Sequence, residues 1–405
     1  MGLDGRLLFA TRMVRLFAYG FLSVILVLYL AAAGLSNVQI GLLLTLTLVG
    51  DTLISLAITT SADRIGRRRM LLVGAALMVF AGVLFALTRD FFLLLAAATI
   101  GVISPSGNEV GPFLALEQAA LSQIVSDERR THVFSWYNLV GSFTTALGAL
   151  SGGGLAQLLQ NRGLAPLASY RFVIAGYALL GVVLLVLFTR LGARVEAPRS
   201  ASAPVSRLGL HRSRGIVFKL SALFSLDAFA GGFVVQSIMA YWFHLRFGVQ
   251  PAVLGSIFFG ANILAGVSAL TAARLASRIG LINTMVFTHI PSNLLLIAVP
   301  LMPSLPLAIA VLLLRFSISQ MDVPTRQSYT MAVVGPDERS AAAGVTGIAR
   351  TTGAALAPVF TGPMLANALL LNFPFFLAGG LKIVYDLLLY FNFRRSRPSE
   401  RSQPG

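Results

Sequence analysis

The chain reads as an all-α membrane protein, with twelve transmembrane helices arranged as two pseudo-symmetric six-helix bundles. Three observations predict this. Of 405 residues, 56% are hydrophobic and 11% charged, whereas soluble domains carry roughly 25% charged residues. Apolar runs of about 20 residues recur along the whole chain, each long enough to cross a hydrocarbon core about 30 Å thick. A short basic hairpin containing Arg64-Ile65-Gly66 returns near mid-length as Arg278-Ile279-Gly280, again between apolar runs.

The runs lie near residues 14–34, 38–60, 70–88, 91–122, 133–156, 170–190, 216–241, 251–274, 281–300, 304–333, 341–366 and 371–392. They are too long for barrel strands, and a helix satisfies its own backbone hydrogen bonds in lipid. Arg12 and Arg15 precede the first run and Ala31 to Ala33 close it, but its apolar core exceeds the roughly 7–15 residues of a signal peptide. In the fourth run, Ser104 to Pro112 holds two Pro and two Gly. That predicts a broken helix at mid-membrane, which is tolerated where the backbone lines a cavity. Pro324 is expected to kink the tenth. The fifth carries Gly141, Gly148 and Gly152 to Gly154, the eleventh Gly347, Gly353 and Gly362; small residues let helix backbones approach closely. Trp136 with Tyr137, and Tyr241 with Trp242, fall near span ends and read as interfacial belts, whereas Tyr19 and Tyr29 read as core. The polar stretch 191–215 reads as a flexible cytoplasmic linker against anionic lipid. It divides an N-terminal bundle, 1–190, from a C-terminal bundle, 216–393, with a tail at 394–405.

Two further matches tie the halves together: Asp127-Glu128-Arg129 with Asp337-Glu338-Arg339, and Glu117-Gln118 with Arg326-Gln327. Parallel six-helix repeats about an axis normal to the membrane are the architecture they imply.

A net charge of +16 would point to nucleic acid in a soluble protein. Here its distribution accounts for it. Four of the 31 Lys and Arg residues fall in outer loops (Arg89, Arg162, Arg171, Arg246) and four within spans (Arg315, Arg326, Arg350, Lys382). The remainder lie in segments that are cytoplasmic if both termini are inside, as the positive-inside rule requires. No nucleic-acid partner is implied. The chain has no Cys, and its four His are scattered, so neither thiolate nor His-cluster metal sites are expected.

On these residues the chain resembles the major facilitator superfamily, across essentially all twelve spans. The loop between the second and third helices shows that family's pattern as Asp63-Arg64-Ile65-Gly66-Arg67-Arg68, with Thr59 where the family has Gly. Gly66 permits a tight turn because positive φ costs it nothing, and Asp63 can sit against a helix N-terminus. The resemblance implies a conformational latch made by Asp63, Arg64, Gly66, Arg67 and Arg68, with Asp63 meeting the region from Ser340 to Gly344. The second half has Ser277 where the first has Asp63, so the latch is expected to be asymmetric. The Gly-Pro step on helix five and the Arg on helix four that mark drug–proton antiporters are absent.

Six acids lie within spans: Asp51, Glu109, Glu117, Asp227, Asp322 and Asp386. With the four cations, lipid exposure of all of them would cost on the order of 25–35 kcal/mol at roughly 2.5–3.5 kcal/mol each. They must face one another or a wet cavity. Arg315, Ser319, Asp322 and Arg326 fall within about 40° of Arg315 on a continuous helix, forming one polar stripe for cavity lining or a structural lock. Glu109 beside Asn108, on the broken helix, is the leading proton or cation site, since burial disfavours a charged carboxylate. Glu117 is expected to pair with Arg326 by repeat symmetry. Asp51, about 18 Å up its helix from Asp63, and Asp227 form a second tier of candidates. Lys382 and Asp386, four residues apart, are expected to neutralise each other, and Arg350 to brace the eleventh helix.

The function these readings favour is proton-coupled efflux of a small organic solute by alternating access, in a monomer of the cell (inner) membrane that contacts lipid and needs no cofactor. Uptake or exchange of an organic anion, with Arg315 as counter-charge, is the alternative. A transport-inactive receptor on the same fold is a reading of another class. No nucleotide-binding Gly-x-x-x-x-Gly-Lys-Ser/Thr loop occurs, so ATP does not drive the process, and no nucleophile motif marks an enzyme.

Overall fold

The computed structural model describes residues 2–109, 111–196, 212–335 and 338–394, apart from the side chains of 63, 127–132, 135 and 340. Among the described residues the chain is helical, with no strand. Among these residues eight helices are long and apolar enough to cross a membrane, and the pair Leu3–Ser23 and Leu26–Ala32, bent by 43°, makes a ninth.

The other three predicted runs are interrupted. The fourth is split into Phe91–Ile100 and Phe113–Ile124, with unwound backbone where the Pro and Gly residues cluster. The eleventh is split into Arg339–Leu356 and Pro358–Ala366; Pro358 supplies no N–H to continue the ladder. The tenth departs from expectation. It is split into Leu305–Phe316 and Asp322–Ala332, so the break precedes Pro324. Pro324 sits in the first turn of the following helix, where no N–H is needed. The polar stripe therefore does not run along one continuous helix.

Local chemistry explains the other boundaries. Ser36 and Gln39 form a capping box at the start of Asn37–Ile65, satisfying two orphan N–H groups. The two recurring hairpins turn on single glycines, Gly66 at φ 113° and Gly280 at φ 87°, a conformation costly for other residues.

By packing, the chain divides into two compact units. One comprises Met1–Arg199, Val235–Ile263 and Pro358–Ala368. Within it Leu3–Ser23 packs chiefly on Asp127–Asn161, and Arg67–Leu87 on Pro166–Thr189. The first crossing is close because a Cβ on Gly148 or Gly152 would strike the carbonyl oxygens of Phe17 and Phe21. Residues from the second half join this unit through equally small contacts: a Cβ on Gly41 would lie 3.0 Å from Gly362 Cα, and one on Gly153 2.9 Å from Gly255 Cα. Gln236 Nε2 donates to Ser23 Oγ at 2.8 Å, and Tyr241 Oη to Asn37 Oδ1 at 3.1 Å. Tyr241 is thus buried, and Trp242 is sealed against Phe243 and Phe247. Neither is the interfacial residue its place near a span end implied.

The second unit comprises Ser200–Val234, Leu264–Ala357 and Leu369–Gly405. Arg214–Gly232 packs on Arg339–Leu356, and Leu281–Ala298 on Phe373–Phe393. First with fifth and third with sixth is the same pairing as in the other half, as duplication requires. An apolar cluster including Leu220, Phe224, Met285, Tyr329 and Tyr385 fills its core.

Candidate functional site

Among the described residues, most buried charges gather into two clusters, one in each unit. In the first unit the centre is Arg15, wholly buried in the middle of Leu3–Ser23. Its Nη1 and Nη2 donate to the two carboxylate oxygens of Glu117 at 2.7 and 2.8 Å. Its Nε and Nη2 also reach Glu109 at 3.2 and 3.1 Å. Arg12 binds Glu109 from the other side and lies over the Tyr137 ring at 4.1 Å. Thr11 donates to Glu117 at 2.8 Å, and the Tyr137 hydroxyl donates to the same carboxylate.

These contacts correct three expectations. Glu117 pairs with Arg15 in its own unit, not with Arg326. Arg12 and Arg15 are interior residues, not a cytoplasmic flank. Tyr137 is a ligand of the cluster and not a belt residue, although its neighbour Trp136 is 51% exposed. Glu109 and Glu117 converge on Arg15 from the unwound segment and from the helix after it.

Glu109 differs from Glu117 in access. Its side chain is 16% exposed, whereas that of Glu117 is 0% exposed. The segment bearing Glu109 turns at Gly107 and Gly111, both at positive φ. Asp51 fixes it by accepting the Gly111 N–H at 2.5 Å, and Ser104 Oγ donates to the Asn108 carbonyl at 2.7 Å. The Asn108 side chain is exposed beside Glu109. A carboxylate on irregular backbone, held by two arginines and partly open, can yield its arginines to a competing solute.

In the second unit Asp227 accepts from Lys382 Nζ at 2.5 Å and from Arg326 Nη1 at 3.1 Å. Arg326 Nη1 also binds Asp322 at 3.1 Å. Asp386 accepts from Asn293 at 3.0 Å and lies 2.9 Å from His289 Nδ1. Lys382 and Asp386, expected to neutralise each other, thus take different partners, because the Lys382 ammonium points to Asp227. His289, which sequence spacing left unassigned, lies with its Nε2 3.9 Å from Asp227 and so stands between two carboxylates. Arg315 is buried over the Phe316 ring at 4.8 Å. The Nε of Arg350 is buried without a hydrogen-bond partner.

The two clusters correspond, with charge reversed. Arg15 on the first span meets Glu117 on the fourth; Asp227 on the seventh meets Arg326 on the tenth. The duplicated positions kept the pair and exchanged its polarity.

Around the recurring hairpin, Glu196 takes a place the sequence did not announce. Its carboxylate accepts from Arg67 N at 2.6 Å and Arg68 N at 3.3 Å, covering the start of Arg67–Leu87 where free N–H groups and the helix dipole favour an anion. Arg67 Nη1 donates to Gln123 at 3.0 Å and Arg68 Nη2 to the Thr189 carbonyl at 2.6 Å; Arg64 is exposed. The Asp63 side chain, the Asp127–Arg129 side chains, Asp337 and most of the linker and tail lie outside the described residues. At the matching acidic turn, Glu338 accepts from Ser213 N at 3.1 Å.

The model of the Major Facilitator Superfamily matches residues 8–358. The uncharacterized membrane protein YJR124C of Saccharomyces cerevisiae is 32% identical over 95% of this chain and 93% of its own length. Among solved structures, the occupied, inward-facing form of a bacterial homologue of the human lysosomal transporter Spinster is similar at a TM-score of 0.74 and 17% identity, over 99% of this chain and 98% of that one. The nucleoside transporter NupG matches at 0.74 and 14%, over 98% and 100%, and a D-xylose–proton symporter at 0.73 and 15%, over 95% and 97%. These structures share the fold. The chain belongs to the Major Facilitator Superfamily, and is a membrane transport protein and not an enzyme.

Proposed function

We propose that the chain is a proton-coupled secondary transporter that exports a small organic solute by alternating access, with Glu109 as the coupling carboxylate. The observation that carries this reading is the placement of Glu109. It is the partly exposed acid of its cluster, it sits on unwound backbone, and it is held by Arg12 and Arg15. Protonating it frees both arginines, and a solute that engages those arginines displaces it. Such competition couples two ligands through one site. Asn108 offers the solute a neutral polar contact, Asp51 positions the segment, and Asp227, Asp322 and Arg315 are the corresponding candidates in the second unit. Asp63, Arg64, Gly66, Arg67 and Arg68 serve as the latch. In this reading the bundles are 1–190 and 216–393, the linker 191–215 and the tail 394–405 are cytoplasmic, and the protein works as a monomer in the cell membrane.

The test is reconstitution into vesicles loaded with a pH-sensitive dye, challenged with a chemically diverse panel of organic solutes. At least one solute is expected to move protons across the membrane, and the sign of the pH change gives the direction. Saturable solute flux with no accompanying proton movement would overturn the coupling. Solute binding with no flux at all would identify a receptor.

A further inference from the structure

We propose that Arg315 and Ser319 bind an anionic group, a carboxylate or a phosphate monoester, carried by the solute. The inference rests on the transporter reading above and names the chemical class of its cargo.

The argument begins with an imbalance. Among the described residues, Arg12, Arg15, Arg326 and Lys382 each find a carboxylate. Arg315 does not. It is 9% exposed, and its buried Nε has no hydrogen-bond partner. Its guanidinium lies over the Phe316 ring at 4.8 Å. Four residues on, Ser319 Oγ is likewise buried and unpartnered. An unpaired cation within a membrane span is expensive, and it persists where function requires it.

The acids Asp227 and Asp322 lie within electrostatic reach of Arg315, but Lys382 and Arg326 already occupy them.

The backbone is arranged for such a guest. The tenth span is broken between Phe316 and Asp322, and the break is held in place by Gln320 N donating to Ser268 Oγ at 3.3 Å. Irregular backbone at membrane depth belongs where it lines a cavity. The planar guanidinium fork matches the two oxygens of a carboxylate or phosphate, and the Ser319 hydroxyl adds one more donor.

The test uses the full-length protein in neutral detergent. Thermal unfolding is followed against increasing acetate or methyl phosphate, with acetamide as the uncharged control. The wild type is expected to gain about 2 °C or more with either anion and nothing with acetamide. Arg315→Gln is expected to lose that gain and, without anion, to unfold at or above the wild-type temperature, because it removes an unpaired charge. Arg326→Gln, which breaks a satisfied pair, is expected to unfold lower. Four outcomes overturn the proposal: no anion-dependent gain in the wild type, the same gain in Arg315→Gln, an anion-free Arg315→Gln as unstable as Arg326→Gln, or a gain only with phosphatidylglycerol, which would assign Arg315 to lipid. Solute-dependent proton movement in vesicles is read separately, so failure here leaves the transporter reading standing.

Discussion

Arg15 and Glu117 meet through two parallel hydrogen bonds of 2.7 and 2.8 Å, with both side chains fully buried. Removing one partner of such a pair strands the other charge and costs about 3–5 kcal/mol. Arg15→Gln is expected to lower thermal stability by that order, and Glu117→Gln by less, because Arg15 still reaches Glu109. The double variant is expected to lose much less than the sum, because neither charge is left alone. Additive losses in a thermal-unfolding cycle would show that the two side chains do not depend on each other.

Lys382 tests which acid it neutralises. Lys382→Met leaves Asp227 with Arg326 and the more distant His289 and is expected to reduce the yield of folded protein. Adding Asp227→Asn is expected to restore at least half of the loss; adding Asp386→Asn is expected to deepen it, since Asp386 bonds to His289 and Asn293. Size-exclusion profiles of the fluorescently tagged variants report the outcome. Rescue by Asp386→Asn in place of Asp227→Asn would reinstate the i, i+4 pair.

Glu196 anchors the start of the linker on the N-terminus of Arg67–Leu87. Glu196→Ala is expected to cost about 0.5–2 kcal/mol, the range for loss of a helix N-cap, and Glu196→Gln somewhat less because the amide oxygen still accepts. Proteolysis of the linker is expected to accelerate in the Ala variant. An unchanged cleavage rate and melting temperature would make the contact incidental.

The sequence carried much of this molecule and missed specific parts for physical reasons. The apolar runs, the two hairpin glycines and the broken fourth helix were legible because length, positive φ and clustered Pro and Gly each impose a local rule. The acids Glu109, Glu117, Asp227 and Asp322 stood out against apolar surroundings. Arg12 and Arg15 did not, because they sit where an apolar run begins and a charge there resembles a membrane flank; the helix starts at Leu3. His289 lies in an apolar helix with no neighbouring ligand in sequence, and its partner Asp386 comes 97 residues later. The break of the tenth helix before Pro324 followed from tertiary contacts such as Gln320 with Ser268, which no local rule encodes. Partner choice was the hardest feature. Spacing on a helix offered Asp386 to Lys382 and symmetry offered Arg326 to Glu117, but side-chain direction in the packed unit selected otherwise.

Glu109 is the centre of the account, and Glu109→Gln tests it most directly. In vesicles, a solute found by the dye screen is exchanged across the membrane without a gradient, then driven by an imposed pH difference. The account predicts that Glu109→Gln retains solute exchange within about threefold of wild type but loses pH-driven accumulation by at least about tenfold, a difference of about 1.4 kcal/mol in coupling. Accumulation that responds to the pH difference as strongly as in the wild type would contradict it.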